Sequence, residues 1–113
     1  MDIYELVETL KRLEIEENKI KSEIRKFRGS IISKYVKCGK ERCKICKFGK
    51  GHGPYYYLVR YENGKQKWKY IGRNSEKFDN FKKLNVKLRD LRNQRREILV
   101  QLKKAIDNVL ANL

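Results

Sequence analysis

The chain has 113 residues, 40% of them hydrophobic and 38% charged, with a formal net charge of +15. That length holds one domain with a thin core, and no run of eighteen apolar residues supplies a membrane span. The acidic start MDIYELVETL lacks the basic and apolar regions of a signal peptide, so the expectation is a soluble, cytoplasmic protein.

The charge is unevenly spread. Residues 1–28 carry seven basic and seven acidic side chains, residues 29–74 twelve against two, and residues 75–113 ten against five. A positive field concentrated in the middle third attracts polyanions, of which nucleic acid is the commonest in a cell. Thermophily or an AT-rich genome is the bland alternative source of such lysine enrichment.

The apolar residues Ile3, Leu6, Leu10, Leu13, Ile20, Ile24 and Phe27 recur at steps of three and four, with Glu17 in the one polar slot. Asp2 is placed to cap this helix with Glu5 three residues on, and Gly29 stands where a C-terminus favours φ > 0. The pattern predicts a helix over 3–28. The last third repeats it at Phe81, Leu84, Leu88, Leu91, Ile98, Leu102, Ala105 and Val109, with Arg95 in the charged slot and Ser75 as the start signal. A second helix over 75–111 follows.

Two narrow stripes can bury each other as an antiparallel coiled coil. Setting Phe27 opposite Phe81 puts Glu17 and Arg95 in neighbouring layers, where they can pair and penalise slipped registers. Val7, Ile15, Val86, Leu99, Val100, Ile106 and Leu110 widen the stripes beyond what two helices need, which makes a homodimer through the helices an expectation.

Residues 30–73 follow a different pattern. Ser30–Val36 reads as a short extended stretch. Farther on, Asn63-Gly64 between aromatic and β-branched residues is a strong signal for a type I′ hairpin. With Glu62 facing Lys65, pairing runs through Val59 with Trp68 and Tyr57 with Tyr70 to Tyr56 with Ile71. One face is then Tyr57, Val59, Tyr61, Trp68 and Tyr70; the other holds Arg60, Lys67 and Lys69 beside Tyr56, Leu58 and Ile71. The aromatic face is expected to be structural, packed on the cysteine segment or the helix ends, and the cationic face to look outward.

Between these two stretches lie Cys38, Cys43, Cys46 and His52, spaced Cys-x4-Cys-x2-Cys-x5-His. Three thiolates and an imidazole are the ligand set of a closed tetrahedral Zn2+ site, and three cysteines cannot all pair in disulfides. A Cys43–Cys46 redox pair, an iron–sulfur cluster and unrelated buried cysteines are the competing readings. The metal would stand in for a core that so small a segment lacks. The expected fold is therefore mostly α with a small β insertion: two long helices and, between them, a zinc-stapled hairpin head, in a single domain over 1–113.

The stretch from Gly29 to Gly72 also resembles a small uncharacterised family, seen in prokaryotes and often near mobile elements. The resemblance is carried by Gly29, Ser30, Cys38, Cys43, Cys46, His52, Gly53, Pro54, Tyr55 and Tyr70–Gly72, and covers residues 29–73. It implies a zinc-stapled hairpin inserted between helices and work on DNA.

The leading functional expectation is a nucleic-acid-binding protein, with duplex DNA favoured over RNA. Its candidate contacts are Lys34, Lys37, Lys40, Arg42, Lys44, Lys47, Lys50, Arg60, Lys65, Lys67, Lys69 and Arg73, with Lys82, Lys83, Lys87 and Arg89 on the second helix, extended by Arg92 and Arg96. A two-stranded ribbon suits a major groove, where Arg60 or Lys67 could touch base edges. Structured RNA, stacked on Tyr55, Tyr56 and Tyr57, is the alternative, and a coiled-coil adaptor for an acidic protein is a third reading. No enzyme is expected: the chain has one histidine, no carboxylate pair in the cysteine segment and no phosphate-cradling glycine loop.

Overall fold

The computed structural model describes residues 1–113. The elements in chain order are α1 (Ile3–Arg25), β1 (Ser30–Val36), α2 (Lys44–Phe48), β2 (His52–Glu62), β3 (Lys65–Gly72) and α3 (Glu76–Ala111). They form two compact units, one of Met1–Ile24 with Leu84–Leu113 and the other of Arg25–Lys83. More than half of the residues are helical, beside one three-stranded antiparallel sheet.

In the helical unit the periodic stripes do what their spacing dictates. Leu6, Leu13 and Ile20 of α1 share one core with Leu88, Leu91 and Ile98 of α3, and Leu10, Ile24, Leu84, Leu102 and Ala105 pack against it. Val109 belongs to the same stripe but is exposed, because α3 has 36 residues to the 23 of α1 and outruns it. The expected polar layer is present: Arg95 Nε lies 3.2 Å from Glu17 Oε1.

The helix ends follow from local chemistry. Asp2 Oδ1 accepts a hydrogen bond from the Glu5 amide at 2.8 Å, the cap read from the sequence. At the start of α3 the Asn74 side chain accepts from the Glu76 amide at 2.9 Å, and the Ser75 carbonyl accepts from Asp79. α1 ends at Arg25, three residues short of the expected boundary. The left-handed residue there is Arg28, with φ 58°. Gly29 serves close approach instead, since a Cβ on it would stand 2.6 Å from the Val59 carbonyl oxygen.

The second unit departs further from expectation. Ser30–Val36 is a full partner in the sheet, which has the order β1-β2-β3, so the hairpin is two strands of three. Its turn is as predicted, with Asn63 at φ 54° and Gly64 at φ 76°. Pairing from Glu62↔Lys65 to Tyr57↔Tyr70 matches the expected register; the last pair is Tyr56↔Gly72 rather than Tyr56↔Ile71, because the ladder shifts by one residue there. Ile31 and Tyr56 are buried on the underside of the sheet, where Tyr56 meets Phe78 at a centroid distance of 5.2 Å. Phe27 and Phe81 pack edge to face at 5.4 Å in the same unit.

The two sheet faces are thus assigned the other way round from the sequence reading. The face with Tyr56, Leu58 and Ile71 is the packed one; on the aromatic face Val59 is buried and Tyr55 and Tyr57 are half-buried, but Tyr61, Trp68 and Tyr70 are open, at 74%, 45% and 52% exposed. Both faces carry apolar side chains at period two, so alternation alone could not choose between them.

Candidate metal centre and sheet surface

Strand pairing and one short turn assemble the cysteine site. The β1–β2 ladder sets Val36 against His52, which brings Cys38, two residues beyond Val36, beside the histidine. Gly51 makes this closure possible: its φ is +108°, and a Cβ would lie 2.8 Å from the Val36 carbonyl oxygen. α2, a single turn the sequence reading did not place, begins after Cys43 and carries Cys46, while the Lys47 amide bonds the Cys43 carbonyl at 2.9 Å.

The result is a tight cluster. The ligand atoms of Cys38, Cys43, Cys46 and His52 all lie within 4.8 Å of one another. Cys43 Sγ is 3.3 Å from His52 Nε2, Cys46 Sγ is 3.6 Å from Cys38 Sγ, and the Cys38 amide donates to Cys46 Sγ at 3.3 Å. Metal–sulfur and metal–nitrogen bonds of about 2.3 and 2.0 Å place tetrahedral ligand atoms roughly 3.5–3.8 Å apart; the side-chain contacts of 3.3 and 3.6 Å lie near that range, and the set as a whole stays within 4.8 Å. All three cysteines are free thiols, and Cys46 is buried.

The thiols are electrostatically unequal. A backbone hydrogen bond from Lys40, helped by the His52 side chain, holds the Cys38 thiol down to about 6 from the ordinary 9.0. The Cys46 thiol is pushed up: the backbone bond from Cys38 opposes the change, but burial and the neighbouring Cys38 and Cys43 sulfurs outweigh it. One member of the set is therefore already a thiolate near neutral pH.

Of the candidate nucleic-acid contacts, Lys34, Lys37, Lys40, Arg42, Lys44, Lys47, Lys50, Lys65, Lys67, Lys69 and Arg73 are exposed in the sheet unit. Arg60 is only half-exposed and, with Lys67, faces Glu62 at 3.7 and 3.2 Å, so the two residues expected to touch base edges are partly engaged. Lys82 and Lys83 are exposed at the end of the same unit; Lys87, Arg89, Arg92 and Arg96 are exposed in the helical unit.

Two cations lie over the open aromatic row, which the sequence reading missed. Lys34 Nζ stands 5.1 Å from the Trp68 ring centre, and Arg73 Cζ 5.5 Å from that of Tyr55. The β-branched run in Ser30–Val36 was the available clue, since a third strand is what carries Lys34 onto this face. Tyr56, expected beside Tyr55 and Tyr57 as a stacking residue, points to the packed side instead.

A family model for a domain of unknown function, DUF6788, matches residues 5–79, about two thirds of the chain. The chain belongs to that family. The DUF6788 match takes in nearly all of α1 and the start of α3, so the family unit is wider than the 29–73 stretch on which the resemblance rested. Comparison with curated proteins and with solved structures gave no significant match. No helix of the chain is long and apolar enough to cross a membrane.

Proposed function

We propose that this DUF6788 protein is a nucleic-acid-binding protein whose sheet unit is stapled by zinc at Cys38, Cys43, Cys46 and His52. The observation that carries the reading is the charge of residues 29–74: twelve cations against Glu41 and Glu62, with eleven of the twelve exposed. Glu62 is already engaged by Arg60 and Lys67, which leaves Glu41 as the one acidic side chain without a cation partner in that stretch. Lysines outnumber arginines in it, which favours phosphate contacts over bidentate base readout.

The zinc assignment rests on the donor set. Three thiolates and an imidazole leave no open coordination position, as in structural sites. The same reading takes α1 and α3 as an antiparallel coiled coil, with self-association through exposed Ile15, Val86, Leu99 and Val100.

Anisotropy titrations with labelled duplex DNA, single-stranded DNA and RNA test the reading. Binding should weaken steeply with salt, by about 10³–10⁵ between 50 and 200 mM if six to ten phosphates are neutralised. Absence of binding at low salt, or an affinity indifferent to salt, refutes it.

A further inference from the structure

We infer that the open aromatic face of the sheet binds the unpaired bases of a single-stranded nucleic acid, an inference that rests on the nucleic-acid reading and names its substrate class. Four rings form one continuous row across β2 and β3. Tyr57 lies 5.7 Å from Trp68 and 5.6 Å from Tyr70, and Tyr70 lies 6.1 Å from Tyr55. At interplanar angles of 57–69° the rings do not close on one another as a flat stack. Between Val36, Tyr55, Tyr57 and Tyr70 is a shallow hollow of about 260 Å³, below the roughly 300–1,000 Å³ of pockets that enclose a small molecule. It suits one planar group lying on the surface.

Leaving large aromatic rings open to water is costly unless something covers them, and the charge on this face selects the occupant. Lys34 sits over Trp68 at one side of the row and Arg73 over Tyr55 at the other. The acid nearest in sequence, Glu62, is tied to Arg60 and Lys67, whose strand positions alternate with those of the row. A surface of aromatic rings bordered by cations is complementary to a strand that offers bases and phosphates together, and a duplex hides its base faces. The energies favour exchange: an exposed cation–π contact is worth about 0.5–1 kcal/mol, a stacked base about 1–3 kcal/mol. A base can therefore take the ring while the displaced lysine or arginine moves to the adjoining phosphate.

Trp68 is the only tryptophan, so its emission reports on this face alone. The metal-loaded full chain is titrated with oligothymidylate, oligouridylate and a duplex of equal phosphate number, with anisotropy recording binding independently. Quenching of Trp68 by the single strands and not by the duplex is expected. Trp68→Ala and Tyr57→Ala should weaken single-strand binding at least about tenfold and change duplex binding less than about twofold, whereas Trp68→Phe should largely keep single-strand binding. Tyr70→Leu, at a half-exposed ring, serves if either alanine variant fails to fold. Saturation by single strands without a change in Trp68 emission, or equal losses for single strand and duplex, overturns the inference while leaving polyanion binding intact. No binding of any of the three at low salt overturns the broader reading instead.

Discussion

Arg95 Nε approaches Glu17 Oε1 to 3.2 Å, and Glu17 is 2% exposed within a core of leucines and isoleucines. The two partners are unequal, because the Arg95 side chain keeps 43% of its surface in water. Removing the arginine strands a buried carboxylate, whereas removing the glutamate leaves a cation that solvent can serve. Arg95→Leu should therefore cost about 3 kcal/mol or more, Glu17→Leu about 1 kcal/mol or less, and the double variant should be neutral or stabilised by about 1–4 kcal/mol. Urea unfolding of the three variants checks this: equal losses for the two single variants would contradict the asymmetry, and a double variant whose loss is the sum of theirs would remove the pair as a determinant of stability. Either single variant should also associate less specifically, which light scattering reads.

The helical unit was legible because its rules are local. A stripe of period 3.5 states which side chains are buried, and Leu6, Leu13, Ile20, Leu88, Leu91 and Ile98 are those it named. The clustering of Cys38, Cys43, Cys46 and His52 was legible for a similar reason: cysteine and histidine spacing reports chemistry before any fold is known. What escaped is non-local. That Ser30–Val36 pairs with β2 depends on a partner some twenty-five residues away, and which face of the sheet is packed depends on Phe78, which belongs to another element.

Gly51 is where the strand ladder and the proposed metal centre meet. Its φ of +108° is unfavourable for an L side chain, and the added Cβ would collide with the carbonyl of Val36, which is backbone and cannot swing aside. Gly51→Ala should destabilise the sheet unit by about 1–3 kcal/mol and weaken metal retention through the neighbouring His52. Gly39→Ala is the control: its φ is also positive, at +76°, but nothing stands within 4 Å of the added carbon. Competition with a chromogenic chelator ranks the two, and a Gly51→Ala protein that keeps its metal better than the Gly39→Ala protein contradicts the closure described for this site.

Chelation should act on one unit and spare the other. The hydrophobic side chains buried within residues 25–83 are Ile31, Cys46, Tyr56 and Val59, a small core for a sheet of that size. Structural zinc supplies about 10–16 kcal/mol of apparent binding energy in small domains, enough to decide whether such a unit folds. Stripping the metal should abolish amide protection in β1, β2 and β3 and shift Trp68 emission, while protection in the Leu6–Ile98 core persists. Metal analysis should return about one zinc per chain before treatment. Sheet amides that stay protected after complete metal removal would show that the cluster is no staple.

Proton and metal compete for the same sulfurs, and the signs differ between them. Cys38 titrates at about 6 in the folded chain, below its ordinary 9.0, because of the Lys40 backbone bond and then His52. Its contribution to stability is thus complete above about pH 9 and is lost as pH falls through about 6. Cys46 is shifted upward, so its contribution is present below 9.0 and lost as pH rises through its folded value. While the sheet unit keeps its fold, Cys38 should be a thiolate on the surface at pH 7 and Cys46 a buried thiol. A short iodoacetamide pulse delivered together with the chelator, before the sheet unit opens, and read by mass spectrometry should label Cys38 well ahead of Cys46, with the Cys38 rate roughly level from pH 8 to 7 and falling below pH 6. Equal labelling of the two would mean that the metal-free segment no longer holds the Lys40 and His52 contacts, and that the thiolate is formed by the metal rather than prepared for it.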